Sequence, residues 1–550
     1  MLSLSIFPIQ TYNLMFKAYQ IAAKSSIFPF FAFLLIGLLI HWLPNFNVPL
    51  HSDVTWIFRL QVSDDRNLLS AIPPALSELG AYPQSFFDSF VDWFRLTGRI
   101  NIMDIFAFRI IAFVANGNAD LWRLIYVFTL SVSIWLFYLI TKELEIPKPI
   151  SIVLSLGLFF IPIDVWVDHK TSEPRALLFL LLSIYITAHW RNLYASIISA
   201  LAMVLSVLTK EPFIIFWIII PALIIQQEVK TKNHGILIQF QKCVVRLTPH
   251  ILTALLIVAY VVLLRAYIPR STAGYAFSHS NEKLAPVIFL QSYIMGLLPG
   301  FIIPELYPFI AFLLFVCIFF IGWEKTKTIM KIKSKYFRTF QISTAIVLFA
   351  TIILHGVIYF STGRVISGRY IIPANYLFAL LIGLIVCPFY KSILLPFFIK
   401  RWKFLAMVML VLLFLAIDKK VLPYATQNRI DQTTWQSFIN EVAFKSPSQA
   451  HVLLQFHEPY MIETAQSLEA NTLLLGRYDL TYHLEIVDES AYVNDNGFLR
   501  FLVDSFNKDR KIIPSKDEGN ILFVKADRKG GNGKPYLNYQ ISLNQRFSSF

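Results

Sequence analysis

The sequence predicts an all-α polytopic membrane protein of about eleven transmembrane helices. A small extracytoplasmic α/β or α+β domain should follow residue 420. Three observations predict this. Of 550 residues, 56% are hydrophobic and 15% are charged, against roughly 45–50% and about 25% in soluble proteins. The apolar residues fall in runs of bilayer length. From about residue 418 those runs stop, and Asp, Glu, Asn and Lys mix in. So few charges cannot coat soluble globules, and so apolar a chain is not disordered. The net charge of +14 does not mark a nucleic-acid binder. Its basic residues sit in short blocks between apolar runs rather than on one solvated face.

Taken in order, the spans lie near 27–44, 121–140, 150–166, 175–190, 193–208, 213–227, 249–266, 304–323, 341–360, 370–388 and 403–417. No small-residue cleavage site follows the first run, so it reads as a span rather than a cleaved signal. The apolar stretch 285–300 is broken by Pro286 and Pro299 and is expected to be interfacial or re-entrant.

Lys and Arg in short loops set orientation. Lys17 and Lys24, Lys142 and Lys148, Arg191, then Lys230, Lys232, Lys242 and Arg246 fall in alternate connections. So do the blocks Lys325–Arg338 and Lys391–Lys403. This alternation places the N-terminus in the cytoplasm and residues 421–550 outside. The first outer loop, about 45–120, has no Lys, five Arg and six Asp before Asp120. Arg there does not help insertion, and its planar fork suits carboxylate or phosphate. Pairing with the loop's own Asp residues is the alternative. The chain has no Asn-x-Ser/Thr sequon, which leans away from an endoplasmic reticulum lumen.

Within 421–550, strands are expected at His451–Gln455, Asn471–Leu475 and Asn520–Val524, with helices near 432–444 and 497–507. Gly530-Gly531-Asn532-Gly533 marks a turn. Cys243, Cys317 and Cys387 have no ligand spacing and read as small packed hydrophobes. His451, His457 and His483 also lack ligand spacing.

Ionisable residues at a membrane boundary are costly and tend to be functional. Four places qualify. Asp53, in His51-Ser52-Asp53-Val54-Thr55-Trp56, is a general-base candidate or a helix N-cap. Glu173-Pro174 opens the fourth span, so Glu173 is a second carboxylate, a metal ligand or a cap. Asp164, Asp168 and His169 lie just before it. In Thr209-Lys210-Glu211-Pro212, Lys210 meets either Glu211 or a phosphate. Finally, Gly363-Arg364 and Gly368-Arg369-Tyr370 combine close backbone approach with two guanidinium groups. For each Arg, snorkelling to headgroups is the plainer reading.

In this order the pieces resemble the GT-C superfamily of integral membrane glycosyltransferases, such as protein O-mannosyltransferases and lipid A aminoarabinose transferases. The resemblance covers about residues 25–420. It rests on Asp53, Glu173, Thr209-Lys210-Glu211 and, most tellingly, Arg369-Tyr370-Ile371-Ile372-Pro373. Many relatives pair two acids in the first loop. Here the nearby pair is Asp64-Asp65, so Asp64 rivals Asp53. Thr97-Gly98-Arg99-Ile100 looks more like the Gly-Arg pattern of O-antigen glucosyltransferases.

The resemblance implies a multi-pass protein of the cytoplasmic membrane that takes a sugar from a polyprenyl-phosphate donor. The acceptor would be a glycan, lipid or protein outside the cytoplasm. Asp53 would be the base of an inverting displacement, with Glu173 as a second carboxylate. Lys210, Arg369, Tyr370, Arg364 and Arg99 would face the donor phosphate. Some relatives use a divalent metal, here Mg or Mn, for which Asp168 and Glu173 are the candidate ligands. The competing readings are a transporter or flippase for a lipid-linked glycan and a non-catalytic scaffold.

Overall fold

The computed structural model describes residues 27–46, 100–115, 118–160, 172–230, 236–268, 286–297, 335–361, 368–389, 417–456, 479–486, 521–531 and 534–543. It also describes single positions at 411, 414, 415, 468, 472, 475 and 477. The expected span 304–323, most of 403–417 and the helix near 497–507 lie outside these residues.

Among the described residues, six helical segments are long and apolar enough to cross a membrane: Phe28–Asn45, Ala119–Glu143, Glu211–Glu228, Leu237–Tyr267, Gln341–Ile358 and Tyr370–Cys387. The chain is therefore a multi-pass membrane protein. Helix α1 (Phe28–Gly37) continues as a π turn and a 3-10 turn to Asn45. It is followed by α2 (Ile102–Ala115), α3 (Ala119–Glu143), α4 (Lys148–Leu158), α5 (Glu173–His189) and α6 (Leu193–Thr209). A 3-10 segment (Glu211–Ile218) runs into α7 (Ile219–Lys230), and α8 (Ile236–Tyr267), α9 (Pro286–Leu297), α10 (Lys335–Ser361) and α11 (Gly368–Phe389) complete the bundle. The stretch expected to be interfacial contains α9, whose Phe289, Tyr293 and Leu297 are buried in the main core.

Lipid offers helices no hydrophobic drive to associate, so small and polar residues hold them together. Between α5 and α6 this is a chain of hydroxyls. Ser183 Oγ donates to the Ser199 carbonyl at 2.9 Å. Thr187 Oγ1 and Ser199 Oγ lie 2.7 Å apart, and Ser206 Oγ donates to the Ala176 carbonyl at 2.7 Å. Gly37 lets α1 approach α3: a Cβ there would stand 2.8 Å from Ser131 Oγ. Helix α3 ends in a Schellman motif. The Ile146 N–H bonds the Thr141 carbonyl, the Glu145 N–H bonds that of Lys142, and Glu145 takes φ 57°.

One end of the bundle gathers the C-terminal turn of α1, the N-termini of α3, α5 and α11 and the C-terminus of α6. Arg123, wholly buried, donates to the Asn45 carbonyl at 3.1 Å. It thereby serves the orphaned carbonyls at that helix end. Trp42 Nε1 donates to the Asp120 carbonyl at 3.1 Å.

At the other end Arg246 plays the same part. It donates to the Thr187 and Trp190 carbonyls and pairs with Glu228 at 2.7 Å. Sequence patterning counted Arg246 as a loop cation, but α8 begins at Ile236 and buries it. Cys243 and Cys387 are half-buried thiols, and Cys317 lies outside the described residues.

The polar C-terminal region begins with α12 (Leu422–Lys445) and forms a four-stranded sheet ordered β2-β1-β3-β4. Strands β1 (His451–Phe456), β2 (Thr481–Ile486) and β3 (Ile521–Gly531) are parallel, and β4 (Lys534–Leu543) is antiparallel to β3. One sheet face presents Val452, Leu454, Tyr482, Leu484, Leu522 and Val524 to Trp435, Phe438, Ile439 and Val442 of α12. The fold is thus helical with a small mixed-sheet α/β region.

Of the strand expected at Asn471–Leu475 the structure describes Thr472 and Leu475, and neither is in a strand. Leu468 and Thr472 are helical, with Thr472 Oγ1 bonding the Leu468 carbonyl, and Leu475 lies in a turn. A short apolar run does not distinguish helix from strand, and Leu468, three residues before it, packs in the core beneath the sheet. The strands β2 and β4 were not expected. Gly531 pairs with Lys534, so the Gly-rich stretch does connect two antiparallel strands.

Candidate functional site

Two of the charges singled out in sequence, Glu173 and Lys210, meet at the first of the two ends described above. Glu173 opens α5 and Pro174 follows in its first turn, where proline costs no hydrogen bond and the helix amides favour an anion. Lys210 sits in the extended joint between α6 and the 3-10 segment, with φ −152° and ψ 111°. Its Nζ lies 2.9 Å from Glu173 Oε1. Both residues are buried, Glu173 at 2% and Lys210 at 7% exposure.

The partner of Lys210 is therefore Glu173, across the α5–α6 hairpin, and not its neighbour Glu211. Glu211 Oε1 instead accepts the Ile100 N–H at 2.8 Å. Tyr370, in the first turn of α11, brings its ring centroid 5.4 Å from Lys210 Nζ. That is cation–π range.

A second pair stands beside the first. Arg175, two residues beyond Glu173, pairs with Asp104 of α2 and donates from Nη1 to the Tyr126 hydroxyl of α3 at 2.6 Å. Asp104, Arg175, Glu173 and Lys210 make two buried anions and two buried cations. Burying any one alone would cost several kcal/mol, roughly, and pairing offsets that cost. Asp104, Arg175 and Tyr126 were not foreseen as site residues. Their pairing joins α2, α3 and α5 across distant sequence, and only the placement of Arg175 right after Glu173-Pro174 hinted at it.

Helix α11 is fixed from behind. His355 of α10 hydrogen-bonds the Tyr370 backbone. The Tyr293 hydroxyl lies 3.0 Å from His355 Nδ1 and 2.8 Å from the Ile352 carbonyl. His355 thus joins α9, α10 and α11 as a helix-packing histidine. Pro373 has no N–H to offer the Arg369 carbonyl four residues earlier, so the Arg-Tyr-x-x-Pro pattern loosens the first turn of α11 where Arg369 sits.

Arg369 is placed by its backbone in that turn, one residue before Tyr370. Asp53, Asp64, Arg99, Asp168 and Arg364 lie outside the described residues. The structure therefore brings together Glu173, Lys210 and Tyr370.

Among the described residues no three His, Cys, Asp or Glu side chains gather as a metal site. Of the two candidate metal ligands, Glu173 is paired with the Lys210 ammonium and Asp168 lies outside the described residues. Chemically, the arrangement is a buried cluster of two ion pairs with an aromatic ring against it, at one end of the helical bundle. Comparison with protein-family models and with curated proteins finds no match to this chain.

Proposed function

We propose that this protein is a GT-C-like, inverting glycosyltransferase of the cytoplasmic membrane. It would transfer a sugar from a polyprenyl-phosphate donor to an envelope acceptor on the extracytoplasmic face. One observation carries the reading. Glu173, Lys210 and Tyr370, from three different elements, meet at one boundary of the bundle. A lipid-phosphate donor presents its reactive bond at that depth.

In this reading Asp53 takes the proton from the acceptor hydroxyl as it attacks the anomeric carbon. Negative charge then grows on the departing lipid phosphate, and fixed cations placed there lower the barrier. Lys210 is held by Glu173 in the structure, so the primary cation is Arg369, with Arg364 and Arg99 as further candidates. Lys210 then shapes the pocket through Glu173 and Tyr370, and reaches a phosphate by exchanging partners. The transporter reading would favour ion pairs midway along broken helices. The pairs seen here sit at helix ends.

The test is transfer to the envelope acceptor by Asp53→Asn and Arg369→Ala, with protein abundance followed in parallel. Loss of transfer at normal abundance in both supports the proposal. Normal glycan output from both overturns it.

A further inference from the structure

The C-terminal sheet is mounted on the bundle in a definite direction. Val421, the residue before α12, is buried in the main helical core, and Tyr424 packs against that core. Helix α12 touches Leu43–Asn45, and the turn Ile417–Val421 before it touches Leu38–Trp42, both at the end of α1. Arg123 donates to the Asn45 carbonyl there. Helix α12 therefore starts at the end of the bundle where Glu173, Lys210 and Tyr370 meet, and it carries the sheet at its far end. Arg477, just before β2, donates to the carbonyls of Ser446 and Pro447 past the end of α12. The Thr481 N–H, which opens β2, bonds the Ala450 carbonyl. The amino ends of β1 and β2 thus lie at the far end of α12, and the parallel strands run back toward the bundle.

Two lengths fix how far they reach. The Tyr539 ring of β4 lies 4.6 Å from the Phe438 ring of α12, centroid to centroid. Tyr539 pairs with Ala526, which is also the last residue of β3 to pair with β1. Beyond it, 527–531 and 534–538 pair only with one another among the described residues. They form a two-stranded arm about 16 Å long, at about 3.3 Å per residue. From Phe438 back to Tyr424, α12 covers about 21 Å, at about 1.5 Å per residue. The arm therefore spans most of the distance from the sheet to the end of the bundle.

In sequence the arm carries Arg528, Lys529 and Lys534 against one acid, Asp527. The register sets Lys529 opposite Tyr536 and Lys534 opposite Gly531. We infer that this arm binds the phosphate headgroups of anionic lipids in the leaflet at the Glu173–Lys210 end of the bundle. Direction and charge carry the inference together. A basic segment is drawn to an anionic leaflet only within about a Debye length of it, and the arm is the part of the C-terminal sheet that returns to that depth. Arg suits phosphate through its planar fork, and tyrosine is favoured at headgroup level. A lipid whose phosphate is neutralised by its own ammonium offers no net charge to this arm, so the partner is a lipid of net negative charge. The inference does not depend on the glycosyltransferase proposal, because it concerns the leaflet and not the reaction.

The experiment is hydrogen exchange of the arm amides, 527–531 and 534–538, on the full chain in two kinds of nanodisc. One is phosphatidylcholine alone, and the other is phosphatidylcholine mixed with phosphatidylglycerol. Anionic lipid should slow exchange in the arm, and raised salt should restore it. Each basic residue near a charged surface strengthens association about fivefold. Lys529→Gln should therefore cut the slowing about fivefold, and Arg528→Gln/Lys529→Gln/Lys534→Gln should abolish it. Unchanged exchange in β1 and β2 checks that the sheet is intact, and Lys529→Gln decides alone where the triple variant disturbs it. Equal arm exchange in the two nanodiscs overturns the inference. If it is slow in both, the arm is held by the protein itself, for instance by the acidic first outer loop. Slowing that survives neutralisation of the cations also overturns it. So does slowing reproduced by inorganic phosphate in phosphatidylcholine alone, which would make the arm a site for a free anion. Absence of glycosyl transfer in a preparation whose arm still responds to phosphatidylglycerol would remove the proposed function and leave this inference standing.

Discussion

Lys210 Nζ and Glu173 Oε1 stand 2.9 Å apart, although all of α5, a turn and all of α6 separate the two residues in sequence. Each is among the few buried charges of the bundle. Removing one partner leaves the other charge buried and alone, a loss of about 3–5 kcal/mol. Lys210→Met and Glu173→Gln should therefore each lower the unfolding midpoint in nanodiscs markedly. The double variant Lys210→Met/Glu173→Leu should recover much of that loss, because an apolar pair of similar volume replaces the ions. A double variant as unstable as the sum of the singles would show that the two charges serve other partners.

Helix α3 ends with Glu145 at φ 57°, a conformation that costs a side-chain-bearing residue roughly 1–2 kcal/mol. Glycine adopts it freely but loses more entropy on folding. Glu145→Gly should stabilise the protein by about 0.5–1 kcal/mol, the balance of those two terms. Chemical unfolding in mixed micelles reads this directly, and a destabilised variant would refute it.

The hydroxyl chain between α5 and α6 can be probed at its centre. Ser199 Oγ meets both Ser183 and Thr187. Ser199→Ala should cost about 0.6 kcal/mol and no more than about 1.7, the range for such bonds in membranes. Ser199→Leu should cost more, about 1–3 kcal/mol, by forcing two closely packed helices apart. Equal losses in the two variants would mean that the helices are not in tight contact there.

In the C-terminal region, Arg477 donates to the carbonyls of Ala443, Ser446 and Pro447 at the end of α12 and pairs with Asp479. The Arg477 guanidinium, helped by the Gln449 N–H, holds the Asp479 carboxyl well below the usual carboxylate range. Its folded pKa is thus lower than its unfolded pKa. The stabilisation is complete above about pH 4 and fades as pH falls toward the folded value. Asp479→Asn should flatten that acid loss. The readout is hydrogen exchange in β1 and β2 between pH 5 and 2, corrected for intrinsic rates, and identical pH slopes would contradict the assignment.

Hydropathy and punctuation were sufficient to place most elements. Glu173-Pro174 marked the start of α5, and Gly530–Gly533 marked the bend between two strands. Alternation was also present in Thr481–Ile486, where Tyr482 and Leu484 share a face, yet that strand was passed over beside the more continuous apolar run at 471–475. Boundary charges were visible as candidates because they are rare. Their partners were not, since pairs such as Lys210–Glu173 and Arg175–Asp104 depend on which helices become neighbours. The adjacent acid, Glu211, was the natural local guess for Lys210, and the backbone of Ile100 took it instead.

The α5–α6 pair has a consequence for biogenesis. Asn192 caps α6 directly after the turn, the serines and threonine join the two helices along their length, and Glu173 meets Lys210 at the open end. Arg175 is the exception to this internal pairing, for it pairs with Asp104 of α2, which precedes the hairpin in sequence. The partners of both buried charge pairs are therefore complete once Lys210 has been synthesised, before α7 and α11, and later helices can assemble on a corner that is already closed.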